Sequence, residues 1–197
     1  MDFIEILKVI FLGIVEGITE WLPISSTGHM LLIDSLFTLK ASDAFKDMFF
    51  VVIQLGAILA VVLLFFKNLF PFSLEKGENK NLKINTDKNI LSLWGKILVA
   101  CIPAGCIGIL FDDFLEANLH TPLTISLTLI IYGIAFLFIE NKNKDNVFRT
   151  DDVHKISYKD ALIIGVFQVL SLIPGTSRSG ATIIGALLIG KIGRAHV

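Results

Sequence analysis

Eighteen consecutive residues from Phe49 to Phe66, FFVVIQLGAILAVVLLFF, contain no charged side chain. Crossing the hydrocarbon of a bilayer takes about 20 predominantly apolar residues in a helix, and this run is close to that length. Leu93–Phe111 contains a single lysine, and Pro122–Ile139 contains no charge at all. A water-soluble fold would have to bury all three segments as core helices, which demands a much larger protein around them. Charged residues make up only 18% of the 197, against about 25% in ordinary soluble domains, and mean hydropathy is +0.75. The expected fold class is an all-α integral membrane protein.

The same composition excludes other classes. A net charge of −1 provides no basic surface to displace counterions from phosphates, so no nucleic-acid partner is expected. Cys101 and Cys106 share one apolar segment and show no metal-ligand spacing, so they read as small packing residues. The N-terminus carries Asp2 and Glu5 rather than a basic region, and no small-residue cleavage site follows. A removed signal peptide is therefore not expected.

Charge bias orients the spans. Lys67–Ile90 holds five lysines and Glu140–Asp160 five basic residues, whereas Asp112–Thr121 has no lysine or arginine. By the positive-inside rule the first two connections are cytoplasmic and the third faces outside. That alternation also puts residues 40–48 outside.

Two further regions are apolar but interrupted. GIVEGITEWLPISSTGH (Gly13–His29) parallels GVFQVLSLIPGTSRSGAT (Gly165–Thr182), with small gaps. Each begins Gly-x-x-Glu/Gln, continues as an apolar run, and reaches a proline followed by hydroxyl residues and glycine. Pro23 and Pro174 each remove a backbone donor and disfavour helix in the preceding residue. Irregular backbone at membrane depth persists only where protein or a wet cavity satisfies it. The first region connects to the outside and the second to the inside, so they would enter from opposite faces. The expectation is an inverted-topology repeat with two re-entrant helical hairpins meeting near mid-membrane.

Polar residues concentrate at these breaks. Glu16 and Glu20 are four apart and share a helix face; each carboxylate at the bilayer centre costs about 2.5–3.5 kcal/mol on insertion scales. The alternative is a pair of glutamates at a helix end reaching water. The functional reading is a divalent cation site, since a hard ion such as Mg²⁺ takes one or two carboxylates and completes its shell with water and substrate phosphate. Ser25, Ser26, Thr27 and His29 follow; a serine near a histidine is a candidate activated nucleophile, although such residues also cap helices. In the second region Thr176, Ser177, Ser179 and Thr182 surround Arg178, whose planar fork suits phosphate oxygens. Glycines and the start of a following helix would add backbone donors. Acid and metal in one hairpin, with arginine and hydroxyls in the other, suit a pyrophosphate. Gly185–Ile192, GALLIGKI, is a near-miss to a P-loop, but isoleucine stands where Ser/Thr is needed and no strand precedes it,.

With EGITEWLPISSTGHM (Glu16–Met30) and PGTSRSGAT (Pro174–Thr182) in this order, the chain resembles the undecaprenyl pyrophosphate phosphatase family, also called bacitracin-resistance proteins. The resemblance implies a multi-pass enzyme of the bacterial cytoplasmic (inner) membrane that converts undecaprenyl diphosphate to the monophosphate carrier lipid and phosphate, recycling it for cell-wall synthesis. It also implies a divalent metal, Mg²⁺ or Ca²⁺, held by Glu16 and Glu20, and an active site opening to the outer or periplasmic side. Expected partners are the polyprenyl diphosphate lipid, membrane lipids and, in a homodimer, a second copy. The resemblance assigns catalysis to Glu16, Glu20, Ser26, His29 and Arg178, and substrate binding to Ser25, Thr27, Thr176, Ser177 and Ser179. It further implies spans after the second motif, so residues 1–190 read as one incomplete membrane domain. The closing IGRAHV back-translates to the start of a common sequencing adapter, and residues 191–197 are expected to be a non-native tail.

For mechanism, the glutamates hold the metal against the diphosphate while Arg178 clamps its oxygens. Attack comes from Ser26 with His29 as base, from His29 itself, or from a metal-activated water; the sequence leaves all three open. A polyprenyl-phosphate transporter or flippase is the rival, because inverted repeats also build carriers; transport has no need of the serine–histidine–carboxylate cluster. A noncatalytic scaffold leaves the intramembrane glutamates unexplained.

Overall fold

The computed structural model describes residues 2–76, 82–143 and 152–191. Residues 192–197 of the expected tail lie outside the described residues, as do Lys80, Lys144 and Arg149 of the basic connections. The order is α1 (Phe3–Thr19), α2 (Ser26–Leu36), α3 (Asp43–Leu64), α4 (Phe66–Leu69), β1 (Phe72–Lys76), β2 (Leu82–Thr86), α5 (Lys88–Leu119), α6 (Pro122–Asn143), α7 (Tyr158–Gln168) and α8 (Arg178–Leu188), with short 3₁₀ turns at Val153–Lys155 and Val169–Leu172.

Each apolar run falls largely in a helix long and apolar enough to cross a membrane: Ala44–Leu64, Lys88–Phe111 and Pro122–Asn143. Only 11% of the most apolar window of each is buried by protein. Exposed apolar surface on that scale would drive a water-soluble protein to aggregate; facing acyl chains, it costs nothing. Hydroxyl and carboxylate caps set where the helices begin. Ser42 accepts from the Phe45 amide to start α3, and Asp87 accepts from Asn89 and Ile90 to start α5. Ser157 and Asp160 form a reciprocal capping box at α7, satisfying two amides that the helix cannot.

The two proline breaks are present. α1 ends at Thr19 and α2 begins at Ser26, with Pro23 between; α7 ends at Gln168, and a 3₁₀ turn and Pro174 separate it from α8. Sequence alone treated Lys67–Ile90 as a plain polar connection, whereas the structure folds part of it into an antiparallel β-hairpin that pairs Phe72 with Thr86. Trp94 on α5 secures the preceding turn by donating from Nε1 to the Leu69 carbonyl at 2.9 Å.

Packing places the two broken units side by side. α1 lies against α2 and α3, over a core of Leu12, Leu39 and Phe49. α7 packs on α5 and α8, approaching α5 so closely at Gly165 that a Cβ there would collide with the Ala100 backbone. α6 touches both α2 and α8, and so joins the units at their second helices.

Each unit is also tied at its base. Near the start of α1, Lys8 pairs with Glu5 at 2.9 Å and donates to the Thr38 carbonyl, while Glu5 accepts from the Lys40 amide at 2.8 Å. At the start of α7, Asp160 meets Lys191, just past α8, at 2.9 Å. Partial burial opposes the Asp160 charge, but Lys191 and the Ser157 hydroxyl and amide hold its carboxyl below the usual range.

Candidate active site

The second helices of the two units begin alike. Ser25 caps α2, its hydroxyl accepting from the Gly28 amide at 3.3 Å; Ser177 caps α8, accepting from Gly180 at 3.1 Å. The Ser25 and Ser177 carbonyls then take the first backbone bonds, from His29 and Ala181. Helix geometry leaves the first two amides of each without an internal acceptor: Ser26 and Thr27 on α2, Arg178 and Ser179 on α8. Paired helix starts supply backbone donors and favourable dipole for an anion. Ser25 sits at φ 63°, the one non-glycine residue with positive φ among the described residues. Held there by its cap, it stores strain of the kind concentrated at functional sites.

The acidic motif lies at the end of α1. Glu20 retains helical φ and ψ, and its amide bonds the Glu16 carbonyl at 2.9 Å, so the expected shared face persists across the helix terminus. Glu16 is 1% exposed, and neither carboxylate oxygen has a hydrogen-bond partner among the described residues. Glu20 is exposed and accepts from Ser26 Oγ at 2.5 Å. A half-buried His29 bonds through Nδ1 to the Ser25 carbonyl at 2.8 Å. A carbonyl can only accept, so Nδ1 carries the proton and Nε2 is the basic nitrogen.

A cavity of about 490 Å³ separates the units, and both motifs line it. The first contributes Glu20, Ser25, Ser26 and Thr27; the second Thr176, Ser177, Arg178 and Ser179. Of the residues expected from sequence, Glu16 and His29 are not in its lining. Glu16 lies one helical turn before Glu20, and His29 one turn into α2. Ser177 and Ser179 share a hydroxyl contact at 3.0 Å, while the buried Thr176 hydroxyl has no partner among the described residues. Among the described residues Arg178 is the only lysine or arginine in the lining, and it is exposed.

Four polar residues among the described lining were not singled out from sequence as site residues: Gln54 on α3, His120 at the α5–α6 connection, and Gln168 and Ser171 at the second break. Gln54 left a signal, as the one polar side chain in the uncharged run. Gln168 left another, since it aligns with Glu16 in the repeat. His120 left none, because only tertiary folding brings it to the cavity.

The two breaks touch reciprocally. A Cβ on Gly28 would lie 3.1 Å from Gly175 in the second break, and one on Gly180 would lie 3.0 Å from the Pro23 carbonyl in the first. Each helix start thus needs glycine where the opposite break passes. Gly175 needs it twice over: its φ is +90°, and a Cβ would meet the Ile125 carbonyl of α6 at 2.7 Å.

The family model described as bacitracin resistance protein BacA matches residues 9–195. An undecaprenyl-diphosphatase of Enterococcus faecalis is 65% identical over 190 residues, covering 96% of this chain and 67% of the relative. Proteins of the same name from Lachnoclostridium phytofermentans (58% identical; 96% and 67% covered) and, as undecaprenyl-diphosphatase 1, from Clostridium acetobutylicum (55%; 96% and 68%) are similar over the same extent. The chain therefore spans about two thirds of the length of these relatives. With both motifs inside the matched residues, the chain belongs to the bacitracin resistance protein BacA family.

Proposed function

We propose that the protein hydrolyses undecaprenyl diphosphate to undecaprenyl phosphate and inorganic phosphate, returning the carrier lipid to cell-wall synthesis. One observation carries the reading: two capped helix starts and Arg178 share a cavity with a serine hydroxyl bonded to a carboxylate. The amides of Ser26, Thr27, Arg178 and Ser179, with the neighbouring hydroxyls, bind the diphosphate oxygens. Arg178 neutralises charge on the transferring phosphoryl group. Ser26 attacks the terminal phosphorus and passes its proton to Glu20, the acceptor it already bonds. The bond from phosphorus to the bridging oxygen breaks, and undecaprenyl phosphate leaves. Water then hydrolyses the phosphoserine, releasing phosphate and restoring the serine. The direct bond from Ser26 to Glu20 favours Glu20 over His29 as the base. His29 then holds the strained Ser25 turn.

A divalent cation, Mg²⁺ or Ca²⁺, belongs to this reading, with Glu16 and Glu20 as its ligands. The fit rests on the buried Glu16 carboxylate, whose oxygens have no hydrogen-bond partner among the described residues, one helical turn from a second carboxylate, that of Glu20. A buried unpaired charge is costly, and a cation would relieve it. When bound, the ion would supply positive charge for the diphosphate oxygens. Phosphate release from undecaprenyl diphosphate is the test, and chelation is expected to suppress it reversibly.

The two units are read as re-entrant hairpins of an inverted repeat in the bacterial cytoplasmic membrane. Supporting this are their matched Ser-x-x-Gly starts, their reciprocal glycine contacts and the tie at the base of the first unit. Thr38 and Lys40 adjoin the segment expected outside, and Asp160 closes a basic connection. The hairpins then enter from opposite faces. His120, in the connection without lysine or arginine, lines the cavity and supports an opening toward the outer side. With Cys101 and Cys106 replaced, an impermeant thiol reagent applied outside is expected to label cysteine at Asn118 but not at Asn79 or Asn146. Labelling at all three would contradict the inverted arrangement.

A further inference from the structure

Gln54 belongs to neither motif, and it is the sole polar side chain between Phe49 and Phe66. An amide on a membrane-spanning helix needs hydrogen-bond partners, because hydrocarbon offers none. Its partner here is Thr27: Gln54 Nε2 donates to Thr27 Oγ1 at 2.9 Å, reaching from α3 to the second residue of α2. Both residues line the cavity, as does Ile58 one turn further along α3. This face of α3 is therefore a wall of the cavity.

We propose that Gln54 is a positioning residue for the diphosphate, acting by fixing the polarity of the Thr27 hydroxyl. A hydroxyl has one proton and two acceptor lone pairs. With the Gln54 amide occupying an acceptor position, the Thr27 proton is presented to the cavity. An anion needs donors there, and Thr27 lies beside the free amides at the start of α2. Ser26, by contrast, has its proton committed to Glu20. Adjacent hydroxyls are thus set to opposite tasks, Ser26 to give its proton to a base and Thr27 to donate to substrate. The inference rests on the cavity being the diphosphate site proposed above.

The test is a double-mutant cycle of Gln54→Leu and Thr27→Val, read as affinity for a polyprenyl methylenediphosphonate that cannot be cleaved. The cycle uses purified protein at the full length of its relatives. Leucine suits an apolar span, so Gln54→Leu should insert normally, and thermal unfolding checks this. Each single variant is expected to weaken binding about tenfold, the usual scale for a hydrogen bond to a charged group. The double variant should be no weaker than Thr27→Val alone, because the glutamine acts only through the threonine. Thr27→Ser, which keeps the hydroxyl, should remain sensitive to Gln54→Leu, whereas Thr27→Val should not. In turnover the loss should fall on KM more than kcat, since the bond serves ground and transition states alike. Independent losses that multiply in the double variant, unchanged binding in Gln54→Leu, or a wild type that does not bind the analogue would each overturn the proposal. A wild type that binds the analogue yet releases no phosphate from the diphosphate would instead overturn the hydrolytic reading, leaving the binding cycle intact as a test of Gln54.

Discussion

Arg178→Lys is expected to lower kcat by about 10²–10³-fold, the usual cost of removing one preorganised transition-state donor, with a much smaller change in substrate affinity. Among the described residues Arg178 is the single lysine or arginine lining the cavity, and it opens α8 directly after its Ser177 cap. Lysine keeps the charge that attracts the ground-state diphosphate but loses the planar fork that binds two oxygens together. The fork matters most as charge builds on the transferring phosphoryl group, so the loss should appear in kcat. Phosphate release at saturating substrate measures it. Undiminished turnover would remove Arg178 from the site.

Ser26→Ala is expected to abolish the phosphoenzyme and to reduce turnover by at least about 10²–10⁴-fold, because removing the nucleophile also removes what proton transfer to Glu20 contributes. Glu20→Gln should fall in the same range, because an amide cannot take the serine proton. Both variants should still bind the lipid, since the backbone amides and Arg178 remain. His29→Asn is the informative control. Nδ1 of His29 is spent on the Ser25 carbonyl, so this variant should disturb the Ser25 turn while leaving the Ser26–Glu20 pair able to react. Rapid-quench experiments with phosphate-labelled substrate would show which residue carries the label. A phosphohistidine, or phosphoserine that persists in Glu20→Gln but is lost in His29→Asn, would contradict the assignment.

Much of this arrangement was legible in the residues. The spans followed from apolar runs with at most one charge, because nothing else satisfies so much apolar surface, and a long helix covers each of them but for Phe65 and Phe66 at the end of the first. The breaks followed from Pro23 and Pro174, with the hydroxyl residues beyond them reading correctly as helix starts. What escaped depends on how the chain turns between elements. Ser26 and His29 are three apart, which suggested a catalytic pair, yet the structure joins Ser26 to Glu20 across the break and His29 to the Ser25 carbonyl. No helical spacing encodes a contact made across an irregular turn. Gln54 and His120 reach the cavity from α3 and the α5–α6 connection, and only packing brings them there. The β-hairpin after α4 was missed because two five-residue strands carry too little alternation to stand out among lysines and asparagines.

The most direct measurement of the central claim follows an isotopic label on the terminal phosphate of undecaprenyl diphosphate in proteoliposomes. If the two helix starts act together on one diphosphate, wild-type protein releases the label as inorganic phosphate, one per lipid, and leaves undecaprenyl phosphate behind. Arg178→Lys and Ser26→Ala, one from each unit, should both suppress the release. Label that stays on the lipid while the lipid crosses the bilayer would contradict the account and identify a carrier.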